Sequence, residues 1–199
     1  MKPISNTYTI TATDADGICL SQTPLAAGAL TLNGALVAGI PTGQHITIGC
    51  AGADAGRTFT VTGTDTSGNT ITEEIAGSNI STTTSTKNFK TFTSVVVDAA
   101  TAGAIVVGIV QTLETQWIPL DYKQHPFVYA YQVDIGTATF TVEGTLDRVQ
   151  DRTIVQLPFT VQASGGVDVA GSSVIPQCAV RVKVTAWTSG TVVFKVLQG

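Results

Sequence analysis

The chain is poor in charged side chains. They make up 12% of its 199 residues, against about 25% in an ordinary globular protein. The Lys and Arg residues are scattered and the formal net charge is -4, so no basic stripe exists that could follow a phosphate backbone. We therefore expect no direct binding to nucleic acid.

Long apolar runs are also missing. Residues 104–110 form the longest apolar stretch, which is far shorter than the roughly 20 residues of a membrane-spanning helix. The opening residues, Met-Lys-Pro-Ile-Ser-Asn-Thr, have no apolar segment behind their Lys and so lack a leader pattern. These features predict a soluble protein that is made in the cytoplasm and has no membrane partner.

Cysteine is scarce and is not arranged for chemistry. Cys19, Cys50 and Cys178 are odd in number, lie far apart and form no C-x-x-C pair for a metal or a redox reaction. A free cysteine behaves as a small hydrophobic residue. We predict buried free thiols, no disulfide framework and no bound metal or cofactor.

Histidine, the commonest general base, occurs only as His45 and His125. His45 falls within an alternating strand pattern, and His125 precedes a proline in a predicted loop. Neither lies in a nucleophile motif such as G-x-S-x-G. We interpret both as structural or surface residues and predict no catalytic residue in the chain.

Two acidic patterns imitate functional sites. Residues 14–17, Asp-Ala-Asp-Gly, resemble the start of a calcium loop, but the later ligands of an EF-hand do not follow. A turn between strands explains them more simply. Glu143 and Asp147 could form a glycosidase-like pair of carboxylates. We interpret them instead as a solvated strand face followed by a charged loop.

A glycine-rich stretch at residues 49–56 invites comparison with a phosphate-binding loop. It lacks the Gly-Lys-Ser/Thr sequence of such loops, and a strand pattern follows it where a helix is required. We predict a flexible connection here.

What the chain does contain is threonine in strict alternation. Threonine supplies roughly one residue in six, and it alternates with Phe59 and Val61 in residues 57–65 and with Ile71 in residues 69–75. A period of two predicts strands with one wet face and one buried face. The polar loop between these two segments predicts a hairpin.

The same pattern recurs along the chain and predicts an all-β protein. Residues 25–40 could be argued as an Ala-rich helix, but each of three glycines there costs about 1 kcal/mol, so we predict strand and turn. We place a last hairpin turn at residues 188–190. The predicted strands are residues 8–13, 18–20, 29–32, 45–48, 58–64, 70–75, 91–97, 104–110, 127–133, 137–146, 154–161, 179–187 and 191–197.

A shift in composition suggests two domains. Aromatic residues are rare before residue 114 and frequent after it, beginning with Trp117 and Tyr122. We predict two β-sandwich or jelly-roll-like modules, residues 1–114 and 115–199. A single larger sandwich, in which this segment crosses between sheets, is the alternative. Because Trp and Tyr are enriched where binding energy concentrates, Trp117 and Tyr122 are candidate interface residues.

Several segments resemble the β-rich virion structural proteins of tailed bacteriophages. In the first half these are RTFTVTGTDTSGNTITEEIAG at residues 57–77 and STKNFKTFTSVVVD at residues 85–98. The second half adds WIPLDYKQHPF at residues 117–127, ATFTVEGTLD at residues 138–147 and VVFKVLQG at residues 192–199. The likeness covers most of the chain. It is carried by strand and turn segments and not by a chemical signature.

The resemblance implies a particle component with no enzymatic activity. It is most like a capsid decoration or cement protein on the outside of the head, which forms a homo-oligomer, commonly a trimer. Its partner would be the major capsid protein or another virion protein, and its location the virion, assembled in the host cytoplasm. The alternatives are a tail, adaptor or fibre component, a carbohydrate- or host-recognition module, and a glycosidase or esterase.

Overall fold

The described part of the chain is built of antiparallel β-strands, which confirms the all-β prediction. The computed structural model describes residues 3–66, 68–123, 128–149, 157–165 and 167–198. In chain order the strands are β1 (Ile4–Thr9), β2 (Asp14–Gln22), β3 (Gly28–Ala29), β4 (Gln44–Ala53), β5 (Thr58–Thr64), β6 (Thr70–Ala76), β7 (Asn79–Phe89), β8 (Thr91–Val97), β9 (Ile105–Ile109), β10 (Leu113–Glu114), β11 (Ile118–Pro119), β12 (Tyr129–Thr145), β13 (Phe159–Gly165), β14 (Val169–Ser173) and β15 (Ala179–Gln198).

The chain folds into two compact units. The inserted unit is Thr11–Gln111, and the framework unit combines Met1–Ile10 with Thr112–Gly199. Each unit has its own cluster of buried apolar residues. The chain therefore leaves the framework unit after its first strand and returns to it about a hundred residues later.

This division differs from the predicted modules, residues 1–114 and 115–199, at the amino end. β1 pairs with β15 from Ile4↔Val196 onward, so it belongs to the framework unit. Ile4 and Tyr8 pack against the framework core. The alternation in β1 shows that one face is buried, but it carries no information about which distant sheet buries that face.

The inserted unit is a β-sandwich of two four-stranded sheets. The strand orders are β2-β9-β4-β7 and β3-β8-β5-β6. Ile48 and Val107 of the first sheet and Phe59, Val61 and Val95 of the second are fully buried in one common core. The threonines that alternate with the buried residues of β5 are only partly covered, as a period of two predicts.

The hairpin predicted from residues 58–64 and 70–75 is confirmed. β5 and β6 pair along their whole length without a register shift. In the connecting loop the Asn69 N–H donates to Oδ1 of Asp65 at 2.9 Å, while Ser67 lies outside the described residues. A local turn of this kind fixes the strand register.

Residues 25–40 hold the short strand β3 followed by turns, as their glycines predict. This segment is tied to β2, because the Gly34 N–H donates to the Ile18 carbonyl at 3.0 Å and the Leu36 N–H to the Gly17 carbonyl at 2.6 Å. A Cβ at Gly34 would overlap the Gly17 backbone, so this approach requires glycine.

The framework unit is a single seven-stranded sheet built on two long strands. β12 has 17 residues and β15 has 20, and they pair from Tyr129↔Gln198 to Thr145↔Ala179. β1, β10 and β11 pair with the other side of β15, and β13 and β14 with the other side of β12. Buried residues from both halves of the long strands share one core, so the sheet folds over onto itself.

The hairpin predicted at residues 188–190 is wrong. β15 continues through these residues, and the ladder between β12 and β15 shifts register at three points between Ile135 and Phe140. The buried positions of β12 change there from odd numbers, such as Val133, to even numbers, such as Ala138. Turn-favouring residues at this place form bulges, which bend one continuous strand.

Candidate functional site

A cluster of paired charges lies on the outward face of the framework sheet. Because Val180 and Val182 of β15 point into the core, the residues that alternate with them face outward. Arg181 Nε lies 2.7 Å from Glu143 Oε2, and Arg181 Nη1 lies 2.6 Å from Glu114 Oε2. Cross-strand neighbours on β10, β12 and β15 thus form one ion-pair network.

Lys183 completes this network at its edge. Its Nζ lies 2.9 Å from Glu114 Oε1, and its side chain is 37% exposed. The side chains of Arg181, Glu114 and Glu143 are only 12–15% exposed. The prediction that Glu143 lies on a solvated strand face is therefore wrong, because this carboxylate is largely covered and paired with a guanidinium.

Trp117 lies against the same network. The guanidinium carbon of Arg181 is 4.6 Å from the centroid of the Trp117 ring, a distance suited to a cation–π interaction. Trp117 is half-buried. One face of this predicted interface residue is thus engaged by Arg181 within its own unit.

Tyr122, the other predicted interface residue, lines a pocket at a different part of the framework unit. The pocket has a volume of about 320 Å³. Arg148 Nη2 donates to the Tyr122 hydroxyl at 3.4 Å, and the ring packs against the framework core. The lining residues are Tyr122, Leu146, Arg148, Pro176, Gln177 and Cys178.

The thiol in this pocket is not an activated nucleophile. Burial raises the pKa of the Cys178 thiol, an effect that Arg148 partly opposes and Asp147 reinforces. Its Sγ donates to the Leu146 carbonyl at 3.0 Å. A reactive cysteine requires a lowered pKa, so Cys178 acts as a donor and a packing group. All three cysteines are free, as predicted. Cys19 and Cys50 are buried, but Cys178 is only half-buried, so the prediction of a buried thiol is wrong at this position.

Four exposed aliphatic side chains belong to segments that line or adjoin this pocket. We call them the aliphatic rim: Leu146, Leu157, Val174 and Ile175, which are 65%, 74%, 70% and 59% exposed. Leu146 lines the pocket itself, and Val174 and Ile175 immediately precede the lining residue Pro176. Exposed aliphatic residues grouped on one surface are the kind of feature that marks an interaction site.

Asp147 holds part of the rim in place. Its Oδ2 accepts the N–H of Leu157 at 2.7 Å and the hydroxyl of Thr145 at 3.2 Å. It therefore joins the end of β12 to the segment before β13. Because Asp147 serves this loop and Glu143 serves the ion-pair network, the two carboxylates do not form an acid/base couple of the glycosidase kind.

The remaining predicted sites belong to the inserted unit or lie outside the description. His45 is in β4, opposite Asn88 of β7, and His125 lies outside the described residues. Asp14 and Asp16 lie within β2 and not in a turn, because this irregular strand pairs with β9. The described part of the chain holds no group of three or more His, Cys, Asp and Glu placed to bind a metal ion.

The glycine-rich stretch at residues 49–56 is more ordered than predicted. β4 continues to Ala53, and Asp54 is only 1% exposed. Asp54 Oδ1 accepts the Ala102 N–H at 2.6 Å, and its backbone N–H donates to Ser78 at 3.0 Å. The prediction of a flexible connection is wrong, since this aspartate ties three segments of the inserted unit together.

No helix among the described residues has the length and hydropathy needed to cross a bilayer. No protein-family model, curated protein or solved structure matches this chain. The geometry and the sequence patterns therefore carry the functional proposal.

Sequence reasoning missed two features of the framework unit, the ion-pair network around Arg181 and the aliphatic rim. Arg181 could have been suspected, because two basic residues, Arg181 and Lys183, alternate with valines in Ala-Val-Arg-Val-Lys-Val. The aliphatic rim had a weaker signal, the apolar residues Val174 and Ile175 in a loop that ends in proline. Sequence spacing gives no sign that Leu146 and Leu157 belong to the same surface.

Proposed function

We propose that this protein is a non-enzymatic structural component of a tailed-phage particle. It self-associates, and it docks on the capsid shell through the aliphatic rim. Its partners are then further copies of itself and the major capsid protein or another virion protein. The mechanism is burial of surface, with no bond made or broken. The particle assignment rests on the resemblance of the sequence segments, and the docking surface rests on the geometry.

The exposure of the aliphatic rim is the observation that carries the proposal. Burying a largely exposed Leu, Ile or Val side chain contributes about 1–2 kcal/mol. Four such side chains on segments that line or adjoin one pocket supply apolar area of the kind that specific interfaces bury. Arg148 at the pocket adds one polar group that could orient a partner.

Four charged residues on the outward face of the framework sheet are paired internally. Glu114, Glu143, Arg181 and Lys183 neutralise one another in pairs. A surface of threonine and internally paired charges loses little side-chain entropy on contact and presents little repulsion to an identical copy. These properties suit a protein that packs in an array.

The glycosidase or esterase alternative has no support at its candidate residues. Glu143 is held by Arg181, Asp147 is held by Thr145 and Leu157, and the raised pKa of Cys178 disfavours a thiolate. Each of these groups has a structural partner where catalysis would require a free base or nucleophile.

No observation favours the carbohydrate-recognition alternative either. Sugar binding would require exposed aromatic rings, yet every large hydrophobic side chain exposed in the described residues is aliphatic. Trp117 is stacked against Arg181, and Trp187 packs on the framework core.

The test compares matched pairs of substitutions on the full chain. The rim variant carries Leu157→Ser and Ile175→Ser, and the control carries Leu20→Ser and Leu25→Ser, which remove exposed leucines from the inserted unit. Sedimentation velocity over a concentration series measures self-association. Co-sedimentation with capsid shells prepared without this protein measures docking.

We expect the wild type and the control to sediment with the shells and the rim variant to lose at least about tenfold in affinity, because two central apolar contacts are removed. A wild-type chain that stays monomeric and remains in the supernatant would overturn the proposal. Equal losses of affinity for the shells in the rim variant and the control would show that the aliphatic rim is not the docking surface.

A further inference from the structure

β1 is an edge strand with regular geometry. It pairs with β15 from Ile4↔Val196 to Thr9↔Thr191 without a register shift. In the part of the chain that the structure describes, β1 pairs with no other strand. An edge of this kind presents backbone N–H and C=O groups at alternate residues, and these groups can pair with another extended segment.

Most other edges among the described strands carry features that hinder such pairing, although β14 is regular and uncharged and is weakened only by its central Gly171. The edges of β6 and β7 are joined by side chains, because the Glu73 carboxylate accepts the backbone N–H groups of Thr86 at 2.6 Å and Lys87 at 2.9 Å. β2 carries Asp14 and Asp16 and pairs irregularly with β9. β3, β10 and β11 have two residues each, and β13 pairs through a bulge.

β1 has none of these protections. Its six residues, Ile-Ser-Asn-Thr-Tyr-Thr, include no charge, no proline and no glycine, and its pairing has no bulge. Natural proteins usually block a long regular edge with one of these devices. An edge left without them is suited to a partner strand.

We propose that β1 pairs with β1 of a second copy of this chain, antiparallel across a two-fold axis, so that two framework sheets become one continuous sheet. The proposal rests on the self-association in the proposed function and names the surface that performs it. A two-fold contact gives a dimer, where the resemblance implies a trimer.

The alternation in β1 selects the register of this pair. Side chains on opposite strands share a face only if the two residue numbers add to an even sum. Centring the axis on Asn6 places Ile4 opposite Tyr8 and Ser5 opposite Thr7. Ile4 and Tyr8 already pack against the framework core of their own copy, so this register extends the apolar face across the dimer.

Charge and symmetry favour a second copy over a foreign strand. Because β1 has no charged residue, pairing it with itself places no like charges opposite each other. The two-fold arrangement uses each β1 edge once, so the contact closes as a dimer and does not propagate into a fibre.

Cysteine cross-linking tests the register. Asn6→Cys places two thiols directly opposite at a Cα separation of about 4.5–5.5 Å, which is within disulfide range. We expect a disulfide-linked dimer on mild oxidation, and none from the wild type or from Thr139→Cys, an exposed site on a strand that is paired on both sides.

A charge substitution provides a second measurement. Thr7→Lys should raise the dimer dissociation constant about tenfold, since a lysine on the edge opposes pairing, whereas Thr139→Lys adds the same charge and should leave it unchanged. If the wild type dimerises but neither β1 variant behaves as expected, β1 is not the interface, although the proposed self-association stands. If the wild type is monomeric at every concentration, the pairing of β1 is overturned, and the proposed function fails only if the chain also remains in the supernatant when capsid shells are sedimented.

Discussion

The inserted unit and the framework unit are both antiparallel β-sandwiches, but their layers are joined in different ways. In the inserted unit the layers are two separate sheets, and the Glu73 carboxylate bridges their neighbouring edges. In the framework unit the layers are two halves of one sheet, connected through the bends of β12 and β15. One unit is closed by side chains, and the other by continuous backbone.

The two units also differ in the side chains and strand edges that they present at their surfaces. The inserted unit carries rows of threonine on its strands, and the hydroxyls of Thr64 on β5 and Thr91 on β8, 2.7 Å apart, bond to each other. The framework unit carries the aliphatic rim and the regular edge of β1.

The largest effect should come from removing a buried aromatic ring from one core at a time. Phe140→Ala removes a fully buried ring from the framework core and should lower the free energy of unfolding of that unit by about 3–5 kcal/mol. Phe59→Ala should do the same in the inserted unit. Hydrogen exchange measured by peptide during a urea titration reports each unit. A loss of protection in both units after either change would contradict the independence of the cores.

The ion-pair network offers the next largest effect. Arg181→Met leaves the Glu114 and Glu143 carboxylates largely covered without their shared cation and should destabilise the framework unit by about 2 kcal/mol. Lys183→Met is the control, because its more exposed pair should contribute about 0.5 kcal/mol or less. Urea unfolding of both variants gives the comparison. Equal losses of unfolding free energy in the two variants would show that Arg181 contributes no more to the network than Lys183 does.

In the inserted unit, Asp54→Ala should cost about 1–2 kcal/mol, since the Ala102 N–H loses its acceptor. Asp54→Asn keeps an acceptor oxygen and should cost less. Asp98→Ala, at an exposed position, is the control and should change little. Thermal unfolding measures all three, and a similar loss for Asp98→Ala would argue against a special role for Asp54.

The smallest effect is a difference in alkaline sensitivity. Burial raises the pKa of Cys19 from 9.0 to about 12. Above pH 9 the unfolded chain releases this proton first, so the inserted unit should lose stability as pH rises, by about 1 kcal/mol at pH 10. Burial also raises the pKa values of Tyr8, Tyr129 and Tyr131 above 10.0, so their contribution in the framework unit should begin at higher pH.

Cys19→Ala tests this difference. The variant should remove most of the decline of the inserted unit between pH 8 and pH 10 and leave the framework unit unchanged. Urea unfolding at each pH, followed by peptide-resolved exchange, measures both units. An unchanged decline in the variant would assign the alkaline loss to other groups.

Local features of the fold were predictable from the sequence. The hairpin of β5 and β6 was found because its turn lies between two clearly alternating segments, and a short loop leaves one pairing. The bent strands were missed for a related reason. Residues 188–190 have turn chemistry, but the same residues can form bulges when the neighbouring strand follows the bend.

Non-local pairings were not predictable in the same way. Alternation places Arg181 on the outward face, but its partners Glu143 and Glu114 lie 38 and 67 positions away. β1 shows the same limit, since its pattern is satisfied by any sheet with an apolar face. The candidate site depends on such pairings, so the sequence yielded Trp117 and Tyr122 as residues but not the surfaces to which they belong.

The pairing of β1 with β15 has a consequence for the order of events during synthesis. β1 is synthesised before the inserted unit and pairs with β15, which is synthesised after it. The inserted unit can fold on the ribosome while β1 still lacks its partner strand. β1 is held in a sheet only when β15 is in place, so we expect the proposed pairing of two β1 strands only after β15 has been made.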